Sequence, residues 1–243
     1  KVFAVGGVPG EGQEARMRIG RERERLVKER TGHRARIRSI CALHGIALGN
    51  PALADMDGLR DWAGRALRPE VAAELRREQA RLAMVEEQIR ALETEQASAL
   101  KQAGGVTEGK ALKLCRLKAV GLQTGWMLSH EVFGWRRFRN RKAVGSFAGL
   151  TGTPYDSGET LREQGISKAG SSRVRTAMIE LAWSWVRYQP GSALTRWFFT
   201  HYVAAGTSRS KRKGIVALAR KLLVALWKYV EQDVVPEGAL LKA

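Results

Sequence analysis

The chain has 243 residues, and its 42 lysines and arginines outnumber 24 acids to leave a formal charge of +18. An excess of this size points to a polyanionic partner, nucleic acid above all. Arg220 and Lys221 interrupt the best apolar stretch, which excludes a membrane span, no secretion signal is visible, and two distant cysteines, Cys41 and Cys115, argue for a reducing compartment without a disulfide framework or zinc site.

In chain order, the sole strand-like tract near the start, Val2 to Val5, ends in Gly6-Gly7, and Gly6-Gly7-Val8-Pro9-Gly10 lacks the Gly-Lys-Ser/Thr ending of a P-loop. A long arginine-rich helix is predicted from about Gly12 to His44, with Met17, Leu26, Ile37, Ile40 and Leu43 as its apolar contacts. Gly45 to Gly58 is a loop. Asp55, Asp57 and Asp61 cluster in and beyond it, where acids commonly serve turns and helix starts, a reading preferred here to a metal site.

A second helix is predicted from about Pro69 to Gln102. Leu75, Leu82, Ile89 and Gln96 lie seven apart in it, interleaved with Val71, Glu78, Val85, Leu92 and Ala99, the spacing of a coiled-coil seam. Pairing the two helices gives an antiparallel hairpin over residues 12–103. Residues 51–100 carry a net charge of −3, which argues against their lying on nucleic acid.

Gly104-Gly105 separates this hairpin from a compact helical domain over residues 104–243. Helices are predicted near Glu108–Val120, Thr124–Phe133, Asn140–Phe147, Ser171–Gln189, Ser192–Ala204 and Gly214–Gln232. The last carries Ile215, Leu218, Leu222, Leu226 and Tyr229 on one face, a core stripe. With strands nearly absent, the fold class is all-α: a long helical, coiled-coil hairpin followed by a compact helical domain.

Residues 101–150 hold the largest positive surplus, +8. Arg136, Arg137, Arg139, Arg141 and Lys142 form one run, and Arg209, Lys211, Arg212 and Lys213 another; both are candidate phosphate contacts, although charge runs are also commonly solvated surface. Trp135 and Phe138 interleave with the first run. Stacking on an unpaired base and burial in the core explain them equally well.

The segment from Gly149 to Arg175 carries the chemistry. Its glycines and proline predict an irregular, accessible loop holding Ser157, whose bland reading is a turn serine before glycine. Ser171 and Ser172 are N-caps for a helix with Val174, Met178, Leu181 and Trp185 on its apolar face. Lys168, Arg173 and Arg175 surround that helix start, which suits an anion.

The order of residues from Phe147 to Arg175, Gly-Leu-Thr-Gly-Thr-Pro-Tyr-Asp-Ser-Gly followed by Gly-Ile-Ser-Lys-Ala-Gly and the two arginines, resembles the C-terminal domain of bacterial insertion-sequence transposases related to the Piv DNA invertase, the bridge-RNA-guided recombinases. Ser157 falls on the serine proposed in that family to attack DNA. Leu117 to Leu122 with Glu131 and Phe138 resembles its helix-hairpin-helix-like element, and Trp183 to Trp185, Tyr188 to Pro190 and Leu218 to Leu223 resemble its closing helices. Ser171 stands where asparagine is more usual, and Val120 replaces the usual proline.

The resemblance implies DNA strand exchange through Ser157, Mg2+ held by four acids of a RuvC-like domain, a structured guide RNA, self-assembly through the coiled coil and a bacterial, nucleoid-associated cytoplasmic setting. The acidic pattern of that domain has no counterpart in the sequence, so no metal ligand is expected here, and residues 1–11 are expected to be the residual end of such a domain. The alternative is an inactive nucleic-acid-binding remnant. A serine hydrolase is disfavoured, because Asp156-Ser157-Gly158 is not a nucleophile elbow and His33, His44, His130 and His201 read as structural or surface residues.

Overall fold

The computed structural model describes residues 8–102, 104–157, 160–204 and 206–242, with the side chains of residues 153–164 outside that description. The chain divides into two compact units, one of residues Arg18–Ser98 and one combining residues Lys1–Met17 with Ala99–Ala243. The fold is all-α, with one short β-hairpin among the described residues.

The smaller unit is built on α1 (Glu11–Leu43) and α2 (Pro69–Lys101), each of 33 residues. They run antiparallel, since successive partners move in opposite directions: Arg23 with Glu93 at 2.5 Å, Arg34 with Glu86 at 2.6 Å and Arg36 with Glu78 at 3.0 Å. The seven-apart positions Leu75, Leu82, Ile89 and Gln96 are all buried, and so are Glu78 and Val85 between them. Ile37 and Cys41 join Leu75 and Leu82 in one cluster, while Leu26 packs with Val85 and Ile89 in another. Full burial of such a side chain contributes about 1.5–3 kcal/mol, so the seam rather than the poorly amphipathic α1 stabilises the pair. One expectation fails at the end of α1: Leu43 is 81% exposed, and Cys41, one turn beyond Ile37, takes the inward position.

The connecting loop closes over the same cluster through Met56, and Gln79 of α2 donates to the carbonyls of Pro51 and Ala54. Its acids shape the turn. Asp55 accepts from the amide of Asp57, Asp57 pairs with Arg76, and Asp61 accepts from the amides of Ala63 and Arg65.

The larger unit contains α3 (Val106–Cys115), α4 (Leu122–Leu128), α5 (Arg141–Phe147), α6 (Ser172–Tyr188), α7 (Ala193–Phe198) and α8 (Ser208–Gln232). α4 and α7 each run on into a π-helical turn, Ser129–Phe133 and Phe199–Val203. α6 and α8 pack side by side at the centre. Val174, Met178, Leu181 and Trp185 from α6 meet Ile215, Leu218, Leu222 and Leu226 from α8 in one core that α3, α4 and α5 complete. Buried Gln189 ties three segments together by donating to the carbonyls of Lys118 and Leu240 and accepting from the Leu240 amide. α8 begins earlier than predicted, capped by Thr207, and Gly214 lies inside it against Tyr202 and Phe198.

The stretch after α5 departs from expectation. In place of an irregular loop, β1 (Gly152–Ser157) and β2 (Thr160–Ile166) form an antiparallel hairpin with Ser157 opposite Thr160. Pro154 starts no break because a two-stranded ribbon leaves one edge of each strand without a ladder partner, where proline is tolerated.

Candidate nucleic-acid interface

The hairpin that carries Ser157 is rooted between α5 and α6. Asn140 caps α5 by accepting from Lys142 and Ala143, and Ser171 caps α6 by accepting from Val174, as its sequence position predicts. Between the caps, the chain is cross-tied: Ser167 donates to Thr151, Lys168 to Gly149 and Ser171 to Phe147 through backbone amides, at 2.8, 3.2 and 2.9 Å. Gly170 has φ +145, and a Cβ there would collide with the Phe147 carbonyl, so glycine is required at this root. Ser157 is the last residue of β1; its side chain lies outside the described residues.

The three cations read as a phosphate ring have different occupations. Arg175 donates through Nη1 to the carbonyls of Ala148 and Lys168, at 3.2 and 3.1 Å, and so clamps both sides of the hairpin root. Arg173 pairs with Glu131 on the π-helical turn, both largely shielded from water. Lys168 is exposed and adopts a left-handed backbone with φ +55. Lys168 and Arg175 are thus brought together, while Arg173 is drawn toward the α4 side.

The first basic run divides in the same way. Arg136 lies 3.9 Å from the Trp135 ring centre and 4.4 Å from that of Phe147, and burial pushes its guanidinium below the usual arginine range against the opposing pull of Glu131. Arg136 is thus half-buried and engaged with two rings within the fold. Arg137 is exposed and 3.6 Å from Glu231. Arg139, Arg141 and Lys142 are exposed around the start of α5. Both aromatics are half-buried: Trp135 donates its indole N–H to the carbonyl of His130, and Phe138 packs against the core and Phe147.

His130 is itself buried against Trp126, with ring centres 4.1 Å apart. Burial pushes its imidazole down to about 4, while Glu108 and Glu131 pull upward and Arg16 adds to the depression. A neutral ring sealed in the core suits packing rather than proton exchange with a nucleic acid.

The second basic run behaves differently. Arg209, Lys211, Arg212 and Lys213 occupy the first turns of α8, all exposed, and none forms an ion pair among the described residues. Lys211 and Arg212 line an open cleft of about 620 Å³ together with Trp183, Val203, Thr207 and Ser208. Trp183 was visible in the sequence only as part of a Trp-Ser-Trp run. Its spacing held the signal: two residues from Leu181 and from Trp185 is about 200° around the helix, opposite the core face.

Among the described residues, no group of three histidines, cysteines, aspartates or glutamates could hold a metal ion, and no helix is long and apolar enough to cross a membrane. Cys41 and Cys115 are free thiols, and only Cys41 is fully buried.

Known proteins share these segments. The chain is 39% identical over 253 aligned residues to Putative transposase y4rJ of Sinorhizobium fredii (strain NBRC 101917 / NGR234), an alignment that takes in all of this chain and 64% of that protein. It is 37% identical over 83 residues to Putative transposase y4qE of the same organism, covering 33% of this chain and 21% of that one. The chain therefore spans less than two thirds of the length of these relatives. Residues 111–196, from α3 through most of α7 and including the hairpin with Ser157, match the transposase family described as Transposase IS116/IS110/IS902.

Proposed function

We propose that this chain is part of an insertion-sequence transposase that exchanges DNA strands, with Ser157 as the nucleophile. The observation that supports the reading best is the position of Ser157, last in β1 and opposite Thr160, within the segment that matches the transposase family. In the step envisaged, the serine oxygen forms a bond to a DNA phosphorus as the bond to a deoxyribose oxygen breaks. The serine proton ends on the released hydroxyl, and the number of phosphoester bonds is unchanged until a second DNA end reverses the attack.

The magnesium implied by the resemblance does not fit the described residues, which hold no ligand cluster for it. The remaining parts of the proposal are a metal-binding RuvC-like half outside these residues, a guide RNA that selects the target, self-assembly through the α1–α2 pair and work at the bacterial nucleoid. A second reading, a chain that binds nucleic acid without cutting it, draws support from the engagement of Arg173 and Arg175 within the fold, which leaves fewer cations for a transition state.

The test joins this chain to the rest of a full-length transposase and incubates it with guide RNA, magnesium and cognate DNA. A covalent protein–DNA adduct that survives denaturation is expected, and Ser157→Ala should abolish it. An adduct that persists in the variant would remove Ser157 from the chemistry, while nucleic-acid binding without any adduct would favour the second reading.

A further inference from the structure

We propose that the cleft between α6 and the start of α8 holds one unpaired nucleotide of a DNA strand, its base stacked on Trp183 and its phosphates facing Lys211 and Arg212. Trp183 is 42% exposed while Trp185, one half-turn away on the same helix, is fully buried, so the core does not require an indole at position 183. The Lys211 ammonium stands 5.7 Å from the Trp183 ring centre, and the two residues line the same cleft with Arg212. The ammonium lies over the ring in a cation–π contact, so a base stacks there as the flexible Lys211 side chain swings onto its phosphate beside Arg212.

Charge supports the same occupant. Elsewhere in the molecule Arg23, Arg34, Arg36 and Arg173 have carboxylate partners, but the four cations at the start of α8, Arg209, Lys211, Arg212 and Lys213, make no ion pair among the described residues. They also crowd the end of the helix where the backbone dipole is positive and where α8 has no acid in its first turn. That arrangement costs stability unless an anion joins it. The nearest acid in the α6 sequence, Glu180, is exposed one turn before Trp183 and is outnumbered.

A base inside a duplex already has neighbours on both faces, so only a base out of the stack can lie on Trp183. The choice of DNA rests on the strand-exchange reading given above, in which DNA strands are opened.

The test is fluorescence anisotropy of the full chain with labelled oligothymidylate, with an abasic oligomer of equal length and with oligouridylate. Trp183→Ala should weaken oligothymidylate binding about fivefold or more, in line with the loss of one stacked base. Trp183→Phe should retain most of the affinity, and the abasic oligomer should bind both variants as it binds the parent. An unchanged affinity in Trp183→Ala, or an equal loss on the abasic oligomer, would overturn the stacking site. Tighter binding of oligouridylate, with the larger loss in Trp183→Ala, would overturn the assignment to DNA. The measurements are repeated with Ser157→Ala, where the Trp183 effect should persist, so a failure of the proposed nucleophile and a failure of this cleft give different results.

Discussion

In the α1–α2 pair, Arg23, Arg34 and Arg36 reach across to Glu93, Glu86 and Glu78, whereas at the start of α8 Arg209, Lys211, Arg212 and Lys213 have no carboxylate partner among the described residues. The two regions look alike as charge runs and differ as physics. In the first, burial opposes ionisation of Glu78, but hydrogen bonds from His33, Arg36 and Arg81 outweigh it and hold the carboxyl at about 2, so cationic charge is spent on holding two helices in register. In the second, the charge remains at the surface beside an aromatic cleft. Net charge alone does not separate structural from available cations; the carboxylates within reach do.

The largest expected effect tests whether the seam, rather than the ion pairs, holds the smaller unit together. Leu82→Ala should cost about 2–5 kcal/mol in urea unfolding, because Leu82 is fully buried and its neighbours can relax only in part. A cost below that of breaking the Arg34–Glu86 pair would reverse the ranking.

Acid should then separate the two units. His130 titrates at about 4 in the fold, below its ordinary 6.5, so the unfolded chain takes up the proton first and the larger unit loses stability as pH falls from about 6.5 to about 4, on the order of 3 kcal/mol in all. Glu78 is also depressed, so its contribution to the helix pair is complete above about 4.5 and is lost as pH falls toward 2. Tryptophan fluorescence, dominated by the larger unit, should therefore change at higher pH than the loss of helicity in the pair. His130→Phe should move that first change to lower pH; an unaltered curve would show that another group sets it.

The smallest effects distinguish paired from available cations. Arg173→Gln should lower stability by about 1–3 kcal/mol, as expected when a shielded carboxylate loses its charged partner, without changing the salt dependence of nucleic-acid binding. Lys211→Gln and Arg212→Gln should leave stability nearly unchanged, and each should reduce the slope of log affinity against log salt by about 0.7 for single strands. The opposite pattern would place Arg173 on the nucleic acid and the α8 cations in a structural role.

Much of the fold was legible because its cores are strictly periodic. The seven-apart residues of α2, the α6 face from Val174 to Trp185 and the α8 face from Ile215 to Tyr229 all turned inward as spacing predicts. The cap at Ser171 was likewise legible from local chemistry. The hairpin was not, because glycine and proline mark turns whether or not the residues around them pair, and the ladder here joins residues from three to fourteen positions apart. The α8 start was missed because Gly214 looks like a boundary, while the contact that admits it, with Tyr202, is tertiary. At the candidate site the sequence supplied Ser157 and the cations but not their occupations. Glu131 lies 42 positions from Arg173, and the carbonyls that engage Arg175 are invisible in any residue pattern.

The clamp that Arg175 places on the carbonyls of Ala148 and Lys168 has a mechanical consequence. A strand advances about 3.3 Å per residue, so Ser157 stands about 17 Å along β1 from Gly152. The ribbon is a lever, and a tilt of about 10° at its base displaces its far end by about 3 Å, the difference between bonding distance and none. If Ser157 is the nucleophile proposed above, aiming it falls to the guanidinium at the fulcrum, and loss of Arg175 would be read as misdirected chemistry in a protein that still folds.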